Sequence, residues 1–323
     1  MSTEKEMLLF VVAGLMNGSF VVSSKYVKNL TLEKVWSYHS IIGLAILPWI
    51  AIFLYKPTIF QYYSYLNPLS LLTIILGGFI FGMGQVCFAY AIEKIGIALS
   101  FTINLGLGIV LGSVFVLFYR NVHFSTDGLL VILSILIILI GLTLNYYSNI
   151  NTHYKVYKKK SYQAGWILAL VTGMTSGLQN ITFIVVAFPH KHQIHHLSSF
   201  WVWPPFLLSA SIPMFIGFLH RNRQYTAKLT NNNFNLASVM RNLLLIILMG
   251  VLFSGSLFIY SLGMDNLKPQ IQVVGWPTFM VSIIITSQLW GWIYKESIHK
   301  KFLYRAIGTL LLIFAILILT LVT

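Results

Sequence analysis

The sequence predicts an all-α membrane protein with ten transmembrane helices, arranged as two inverted repeats of five helices. Three features carry this prediction: the composition, the length of the apolar runs, and the position of the most hydrophilic connection. Hydrophobic residues make up 57% of the 323 residues and charged residues only 9%, whereas a soluble domain carries about 25% charged residues. So few charges cannot cover a soluble protein of this size, so much of the exterior must face lipid.

Ten apolar runs are long enough to cross a bilayer, which takes roughly 20 apolar residues in a helix. Lipid offers no partners for unpaired backbone groups, so these runs are predicted to be helices. Their continuity disfavours a β-barrel, whose strands are short and alternating. We number them segments one to ten, and they fall near residues 7–24, 38–55, 69–92, 96–119, 127–147, 164–188, 198–219, 241–263, 268–293 and 302–322.

The most hydrophilic connection divides the segments into two halves of five. It covers residues 147–163, between segments five and six, so residues 1–150 form the first half and residues 151–323 the second. Because each half has an odd number of segments, the second half is predicted to lie inverted in the membrane relative to the first. Inverted repeats recur in secondary transporters, whose substrate site lies at the repeat interface near the bilayer midplane.

The two halves also resemble each other weakly in sequence. Segments one and six share a small-xxx-small spacing of glycines, which lets helix backbones approach closely in lipid. Segments three and eight share a phenylalanine and a tyrosine at one constant offset. The matching residues are Gly14 and Gly18 with Gly173 and Gly177, and Phe88 and Tyr90 with Phe258 and Tyr260.

The basic residues predict the orientation in the cell inner (plasma) membrane. Sixteen of the 21 Lys and Arg residues lie in or beside the loops that follow segments one, three, five, seven and nine. Cytoplasmic loops carry an excess of Lys and Arg, so these loops are predicted to be cytoplasmic and both termini to be outside. The same distribution explains the net charge of +14 without nucleic-acid binding.

Polar residues inside the apolar segments are the candidates for function, because they are costly in lipid and usually face the protein interior. Hydrogen bonding between helices is the alternative explanation for each amide. Amides offer both donors and acceptors to hydroxyl groups, and aromatic faces can cover the C–H surface of a sugar ring. The set therefore indicates a neutral, polyhydroxylated substrate. Its members are Asn17, Gln85, Tyr90, Asn104, Gln179, Asn180, Tyr260, Gln270, Gln272 and Trp276.

A secondary carrier for a sugar or similar neutral metabolite is the favoured class. No carboxylate lies in the middle of a segment, which disfavours a carrier of hydrophobic cations. The sequence has no phosphate-binding glycine loop and no hydrolase motif, so neither an enzyme nor a cofactor is expected. A drug or metabolite exporter of the same fold and a membrane sensor are the alternatives. The oligomeric state is not predicted.

Proton coupling needs a titratable residue, and three are candidates. His39, near the start of segment two, is of a type that titrates close to neutral pH. Glu93 and Asp265 end segments three and eight. The stretch HKHQIHH at 190–196 has the composition of a zinc-binding loop, but we expect a solvated loop and no metal site. The single cysteine, Cys87, excludes an internal disulfide.

Several stretches resemble the bacterial L-rhamnose–proton symporters. The likeness runs through most of the chain and is patchy in segments six and seven. The wider drug/metabolite transporter superfamily is similar in having ten helices built as five plus five. The stretches are NGSFVVSSKYVKN at 17–29, LEKVW at 32–36, AILPW at 45–49, FGMGQVCFAYAIEKIGIALSFTINLGLGIVLGS at 81–113, PQIQVVGWPTFM at 269–280 and YKE at 294–296.

The resemblance implies uptake of a rhamnose-like monosaccharide together with a proton, by alternating access. The chain departs from the family pattern in two places. The family has an acidic residue two positions after the glutamine of segment nine, where this chain has Gln272. The family also has asparagines in segment three where this chain has Gln85 and Cys87. These departures concern the identity of the sugar and the residue that carries the proton.

Overall fold

In a computed structural model of the chain, the described residues form helices joined by turns, with no strand among them, which confirms the prediction of an all-α protein. The histidine-rich stretch at 190–196 lies outside the described residues. Those residues are 3–55, 57, 63, 66–156, 159–189, 199–225, 236–294 and 302–322.

Six of the ten segments are single α-helices. Among the described residues, segments one to nine are long and apolar enough to cross a membrane, and segment ten is a shorter apolar helix. The single helices are Pro68–Ile95 for segment three, Ile97–Tyr119 for four, Thr126–Val156 for five, Lys159–Ala187 for six, Leu236–Asp265 for eight and Phe302–Leu319 for ten.

The other four segments are composite. Segment one is Thr3–Ser19 followed by Val22–Lys25, and segment seven is a 3₁₀ turn, Ser199–Val202, followed by Trp203–Tyr225. Segment nine is a 3₁₀ turn, Ile271–Val274, followed by Gly275–Ile293. Segment two consists of Leu32–His39, a π-helical stretch Ser40–Ile46 and Leu47–Tyr55.

Segment three begins at an asparagine that caps the helix, and it ends at a glycine that makes a short turn to segment four. Asn67 caps the beginning of segment three, where its side chain accepts a hydrogen bond from the backbone N–H of Leu69 at 2.9 Å. Gly96 ends that helix with φ 82°, a conformation that a residue without a Cβ adopts readily. Segment four begins at the next residue, so the two helices run antiparallel with almost no loop between them.

Helices of one half pack mainly against helices of the other half. Segment six packs against segments three and four, and segment one packs against segments eight and nine. Segment two contacts segments seven and eight, and segment three also contacts segment seven. Segments five and ten pair with each other at the periphery and contact four and nine. The centre of the molecule therefore lies between the two halves.

Glycines allow this close packing at two matched places. A Cβ added to Gly18 of segment one would lie 2.6 Å from the Cβ of Thr286 in segment nine. A Cβ added to Gly177 of segment six would lie 2.7 Å from the Cβ of Leu111 in segment four. Both distances are too short for real side chains, so the glycine spacing serves the close helix approach that the sequence predicts.

Candidate functional site

A cavity lies at the centre of the bundle, between the two halves. Its volume is about 30 Å³, far below the roughly 300–1,000 Å³ that is typical of small-molecule sites, so a sugar enters only when the surrounding helices move apart. Segments one, three and four of the first half and segments six, eight and nine of the second half supply its walls. The residues that line it are Asn17, Phe20, Phe81, Gln85, Phe88, Phe101, Asn104, Leu105, Ser176, Gln179, Phe253, Leu257, Phe279, Met280 and Ile283.

Four of the predicted substrate-binding residues form an amide layer in this cavity: Asn17, Gln85, Asn104 and Gln179. All four are buried. The Nδ2 atom of Asn17 donates a hydrogen bond to the Oγ atom of Ser256 at 2.8 Å. The Oδ1 atom of Asn104 is buried and has no hydrogen-bond partner in the described part of the chain. A buried acceptor of this kind is destabilising unless a ligand or water satisfies it.

Four phenylalanines close the cavity toward the predicted cytoplasmic side, and we call them the floor: Phe20, Phe88, Phe101 and Phe253. The ring centroids are 5.1 Å apart for Phe20 and Phe253 and 4.8 Å apart for Phe88 and Phe101. Phe20 also lies 6.3 Å from Phe101 and 6.5 Å from Phe88. The floor is therefore a continuous aromatic layer built from both halves.

The floor was not predicted from the sequence, although a positional signal exists. Phe20 follows Asn17 by three positions, Phe88 follows Gln85 by three, and Phe101 precedes Asn104 by three. Residues three apart lie one above the other on a helix face. Segment four runs opposite to segments one and three, so all three rings lie one turn from their amides, on the predicted cytoplasmic side.

Five aromatic residues close the cavity toward the predicted outer side, and we call them the roof: Phe10, Phe183, Tyr260, Trp276 and Phe279. Tyr260 is at their centre. Its ring centroid lies 5.0 Å from Phe279, 5.5 Å from both Phe10 and Phe183, and 5.9 Å from Trp276. The two predicted substrate residues Tyr260 and Trp276 are thus placed above the cavity rather than in its lining.

Hydrogen bonds reinforce the roof. The indole N–H of Trp276 donates to the backbone carbonyl of Gly108 at 3.1 Å. The hydroxyl of Tyr260 donates to the Oδ1 atom of Asn180 at 3.3 Å, and the Nδ2 atom of Asn180 donates to the carbonyl of Gly112 at 3.5 Å. Asn180, another predicted substrate residue, therefore links segment four to segment eight instead of lining the cavity.

The remaining predicted binding residues lie farther from the cavity. Tyr90 is beyond the floor, where the guanidinium of Arg221 stacks 4.2 Å from its ring centroid. Gln270 is exposed. Gln272 is buried above the roof and accepts a hydrogen bond from the guanidinium of Arg120 at 2.6 Å. Burial lowers the pKa of Arg120, which nevertheless remains a cation at neutral pH.

The three coupling candidates have different surroundings. His39 is buried beside the floor, with its ring centroid 5.9 Å from both Phe20 and Phe253. Its Nδ1 atom has no hydrogen-bond partner in the described part of the chain. Glu93 is exposed, and Asp265 accepts two hydrogen bonds from the backbone N–H of Ser199, at 2.9 and 3.1 Å.

In the ranges that the structure describes, no group of three or more His, Cys, Asp or Glu residues could hold a metal ion.

A family model matches almost the whole chain. It is the model described as L-rhamnose-proton symport protein (RhaT), and it matches residues 5–323. The chain belongs to this family. The family name denotes proton-coupled sugar transport, and the apolar helices agree with a multi-pass membrane transporter. This family assignment agrees with the resemblance noted from the sequence stretches.

Relatives named L-rhamnose-proton symporter are similar to the chain over most of its length. The protein of Pectobacterium atrosepticum is 24% identical over 294 residues, which cover 86% of this chain and 85% of the relative. The protein of Yersinia pestis is 24% identical over 319 residues, which cover 92% of this chain and 91% of the relative. A protein of known crystal structure, 13% identical, matches with a TM-score of 0.59 over 99% of this chain and 98% of that one, which supports the overall fold alone.

Proposed function

We propose that the protein takes up a rhamnose-like monosaccharide together with a proton, by alternating access, with the sugar bound in the central cavity. One observation carries the proposal: four amide side chains from four segments and both halves line a single cavity whose other walls are largely aromatic. The family to which the chain belongs supports the sugar and the proton.

The chemistry of the cavity fits a neutral sugar. The amides of Asn17, Gln85, Asn104 and Gln179 supply donors and acceptors for hydroxyl groups. Apolar C–H faces of a pyranose ring pack against phenylalanine rings, which are abundant in the walls. The described residues that line the cavity are all uncharged, so an organic cation or anion would be buried there without a counter-charge, which is strongly unfavourable.

The packing of the segments supports inverted repeats of residues 1–150 and 151–323. Segment six packs against three and four, and its counterpart, segment one, packs against eight and nine, the counterparts of three and four. Segment three contacts seven, and likewise eight contacts two. The sequence-matched tyrosines Tyr90 and Tyr260 lie on opposite sides of the cavity, as inverted copies should.

Alternating access requires that the roof and the floor open in turn. Each has a further layer outside it that joins the halves. On the cytoplasmic side, the ammonium nitrogen of Lys25 in segment one lies 4.0 Å from the ring centroid of Tyr294, which follows segment nine. On the outer side, Arg120 after segment four bonds to Gln272 at the start of segment nine. In this proposal the protein lies in the inner membrane with both termini outside.

His39 is the residue that we propose for carrying the transported proton. Of the three sequence candidates, it is the one that contacts an aromatic ring lining the cavity, since Phe20 packs against its imidazole. The π-helical stretch that follows it, Ser40–Ile46, brings Gly43 against the imidazole. Helical irregularities of this kind occur often at functional sites.

Transport by purified protein tests the proposal. Proteoliposomes would be given radiolabelled L-rhamnose, or other labelled monosaccharides, with and without an inward proton gradient. We expect the gradient to drive accumulation of at least one sugar. Asn104→Ala should reduce uptake at least tenfold, because one good hydrogen bond in a buried site contributes roughly 1.5 kcal/mol.

The matched control is Asn145→Ala. Asn145 is also a fully buried asparagine, but it bonds to the carbonyl of Gly141 and lies between segments five and ten, away from the cavity. Its replacement should leave the affinity for the sugar unchanged. Equal losses of affinity in the two variants, or accumulation of every sugar at the same rate without a gradient, would contradict the proposal.

A further inference from the structure

The amide of Asn17 is held by a side chain that lies outside the cavity. Its Nδ2 atom donates a hydrogen bond to the Oγ atom of Ser256 in segment eight at 2.8 Å. Ser256 is completely buried and is not among the residues that line the cavity. The nitrogen end of the amide is therefore bound behind the cavity wall. Because Asn17 itself lines the cavity, its Oδ1 atom is the end available to a ligand.

The hydroxyl of Ser256 determines which end of the Asn17 amide faces it. A serine hydroxyl has one proton to donate and two lone pairs that accept. The Oγ atom of Ser256 donates its proton to the backbone carbonyl of Phe253 at 2.6 Å, so toward Asn17 it can only accept. An acceptor binds the NH₂ end of an amide and repels the oxygen end. The hydrogen bonds from Asn17 to Ser256 and from Ser256 to Phe253 therefore fix the orientation of the amide.

A fixed amide differs from a free one in what it offers a ligand. A free asparagine amide turns about its last side-chain bond and presents either a donor or an acceptor. The Asn17 amide, held by Ser256, presents an acceptor. A ligand group that binds to it must therefore donate a hydrogen bond, as a sugar hydroxyl does. A fluorine atom, which is close to a hydroxyl in size but has no proton, would leave two acceptors facing each other.

The bond between Asn17 and Ser256 lies on one side of the cavity. Segments one and eight pack against each other, and beside the bond a Cβ added to Gly255 would lie 3.1 Å from the Cε atom of Met16. The hydrogen bonds of the roof, by contrast, join segments eight and nine to segments six and four. Opening the roof separates those segments and leaves segments one and eight together. The amide thus stays oriented when the cavity widens to admit a sugar.

The other half of the chain has no such pair at the matching positions. The offset that matches the glycines of segments one and six matches Asn17 with Ser176. The offset that matches the aromatic residues of segments three and eight matches Ser256 with Val86. A valine side chain cannot accept a hydrogen bond, so the packing of the proposed repeats does not require this bond. The difference favours a role in ligand recognition over a role in the fold.

We propose that Ser256 is a positioning residue, which holds the Asn17 amide with its oxygen toward the cavity and so makes the carrier select a ligand with a hydroxyl group at that place. The inference rests on the proposed function in taking a sugar as the ligand. It adds a basis for selectivity, since a ligand group that only accepts would leave the buried Oδ1 atom of Asn17 without a partner, which is unfavourable.

Binding of fluorinated sugars to the purified full-length protein tests the proposal. The probes are L-rhamnose and its three analogues in which the hydroxyl at C2, C3 or C4 is replaced by fluorine, and thermal stabilisation of the protein reports their affinities. We expect the parent to bind the analogue altered next to Asn17 about tenfold more weakly than L-rhamnose. Ser256→Ala frees the amide to turn, so this ratio should fall to about threefold or less. The ratios for the other two analogues should not change.

Ser254→Ala is the matched control. Ser254 is also buried in segment eight, but its hydroxyl donates to the carbonyl of Gly250 at 2.7 Å, within its own helix. Its replacement should leave all three ratios at the parent values. Ser256→Cys, whose thiol is a weaker acceptor, should give an intermediate ratio. In an Asn17→Ala background, Ser256→Ala should change no ratio, because the amide is already gone.

Three results would overturn the proposal. The parent might bind all three analogues as tightly as L-rhamnose, the ratios in Ser256→Ala might equal those of the parent, or all three ratios might fall together. The last result would mean that Ser256 stabilises the whole cavity and does not orient one amide.

A measurement without any sugar separates this proposal from the proposed function. In protein with isotope-labelled asparagine, the NMR signals of the Asn17 side-chain amide are assigned by their loss in Asn17→Ala. Their exchange with water should be about tenfold slower in the parent than in Ser256→Ala, and unchanged in Ser254→Ala. Equal exchange in the parent and Ser256→Ala would contradict the positioning role even if a sugar binds. If no monosaccharide binds but exchange is slowed, the proposed function is wrong and the positioning of Asn17 stands.

Discussion

The roof and the floor close the same cavity in different ways. The floor consists of four phenylalanines, which hold one another by ring packing and have no polar atoms. The roof contains Trp276 and Tyr260, whose N–H and O–H groups donate to Gly108 and Asn180 in segments four and six. Opening the floor separates apolar surfaces only, whereas opening the roof also breaks hydrogen bonds between segments.

This difference predicts that the floor and the roof oppose opening by different interactions. Ring packing holds the floor, whereas hydrogen bonds between segments add to ring packing in the roof. Beyond the floor, the ion pair of Arg221 and Glu33 at 3.9 Å is partly exposed, and pairs of this kind contribute only about 0–1 kcal/mol.

The largest effect is expected from Phe20→Ala in the floor. Truncating a buried phenylalanine costs about 3–5 kcal/mol of packing, and part of this loss should appear as a floor that opens more readily. The measurement is the rate at which a charged methanethiosulfonate reagent labels a reporter thiol in the cavity lining, Ser176→Cys in a Cys87→Ser background. Labelling of this reporter from the cytoplasmic side should accelerate at least tenfold. Phe10→Ala is the matched variant, since it removes an equally buried ring from the same segment but from the roof.

For Phe10→Ala we expect labelling from the outer side to accelerate about threefold or less, because the hydrogen bonds of Trp276 and Tyr260 persist. The two rates therefore measure the difference between the gates directly. An equal or larger acceleration in Phe10→Ala would show that the hydrogen bonds do not hold the roof.

A smaller effect is expected from Trp276→Phe. This change keeps an aromatic ring and removes the donor to Gly108, with a loss of about 1 kcal/mol. Outer labelling of the reporter should accelerate about fivefold. Trp290→Phe is the control, since Trp290 donates a comparable bond to Ser19 at 2.9 Å near the cytoplasmic end of segment nine. Acceleration of outer labelling by Trp290→Phe would point to general loosening of segment nine instead.

The sequence predicted the helices and the amide layer better than the gates. Long apolar runs are stable in lipid and therefore indicate the helices, whereas an amide in the middle of a segment is costly in lipid and is expected to be buried. Asn17, Gln85, Asn104 and Gln179 were identified in this way. Phenylalanine is also stable on a surface that faces lipid, so the residue type of Phe20 and Phe253 did not indicate that they are buried. The hydrogen bond between Asn17 and Ser256 depends on how two distant segments meet, and the sequence alone does not contain that information.

The π-helical stretch in segment two was not predicted, for a related reason. The π-helical stretch Ser40–Ile46 brings Gly43 within contact of both the His39 ring and Gly250 of segment eight. Gly250 is more than 200 residues away in the chain, so no local sequence pattern reveals this contact. Similarly, the sequence did not indicate the partners of Asn180 and Gln272, which bond to Tyr260 and Arg120 in this structure.

The smallest effect is expected from Tyr260→Phe, which removes only the hydroxyl bonded to Asn180. That bond is long, at 3.3 Å, so its loss should cost about 0.5 kcal/mol and accelerate outer labelling about twofold. A double-mutant cycle with Asn180→Ala makes so small an effect measurable. In the Asn180→Ala background Tyr260→Phe should change nothing, because the acceptor is already gone. An effect of the same size in both backgrounds would mean that the hydroxyl acts through some other group, and the hydrogen-bonded roof would then rest on Trp276 alone.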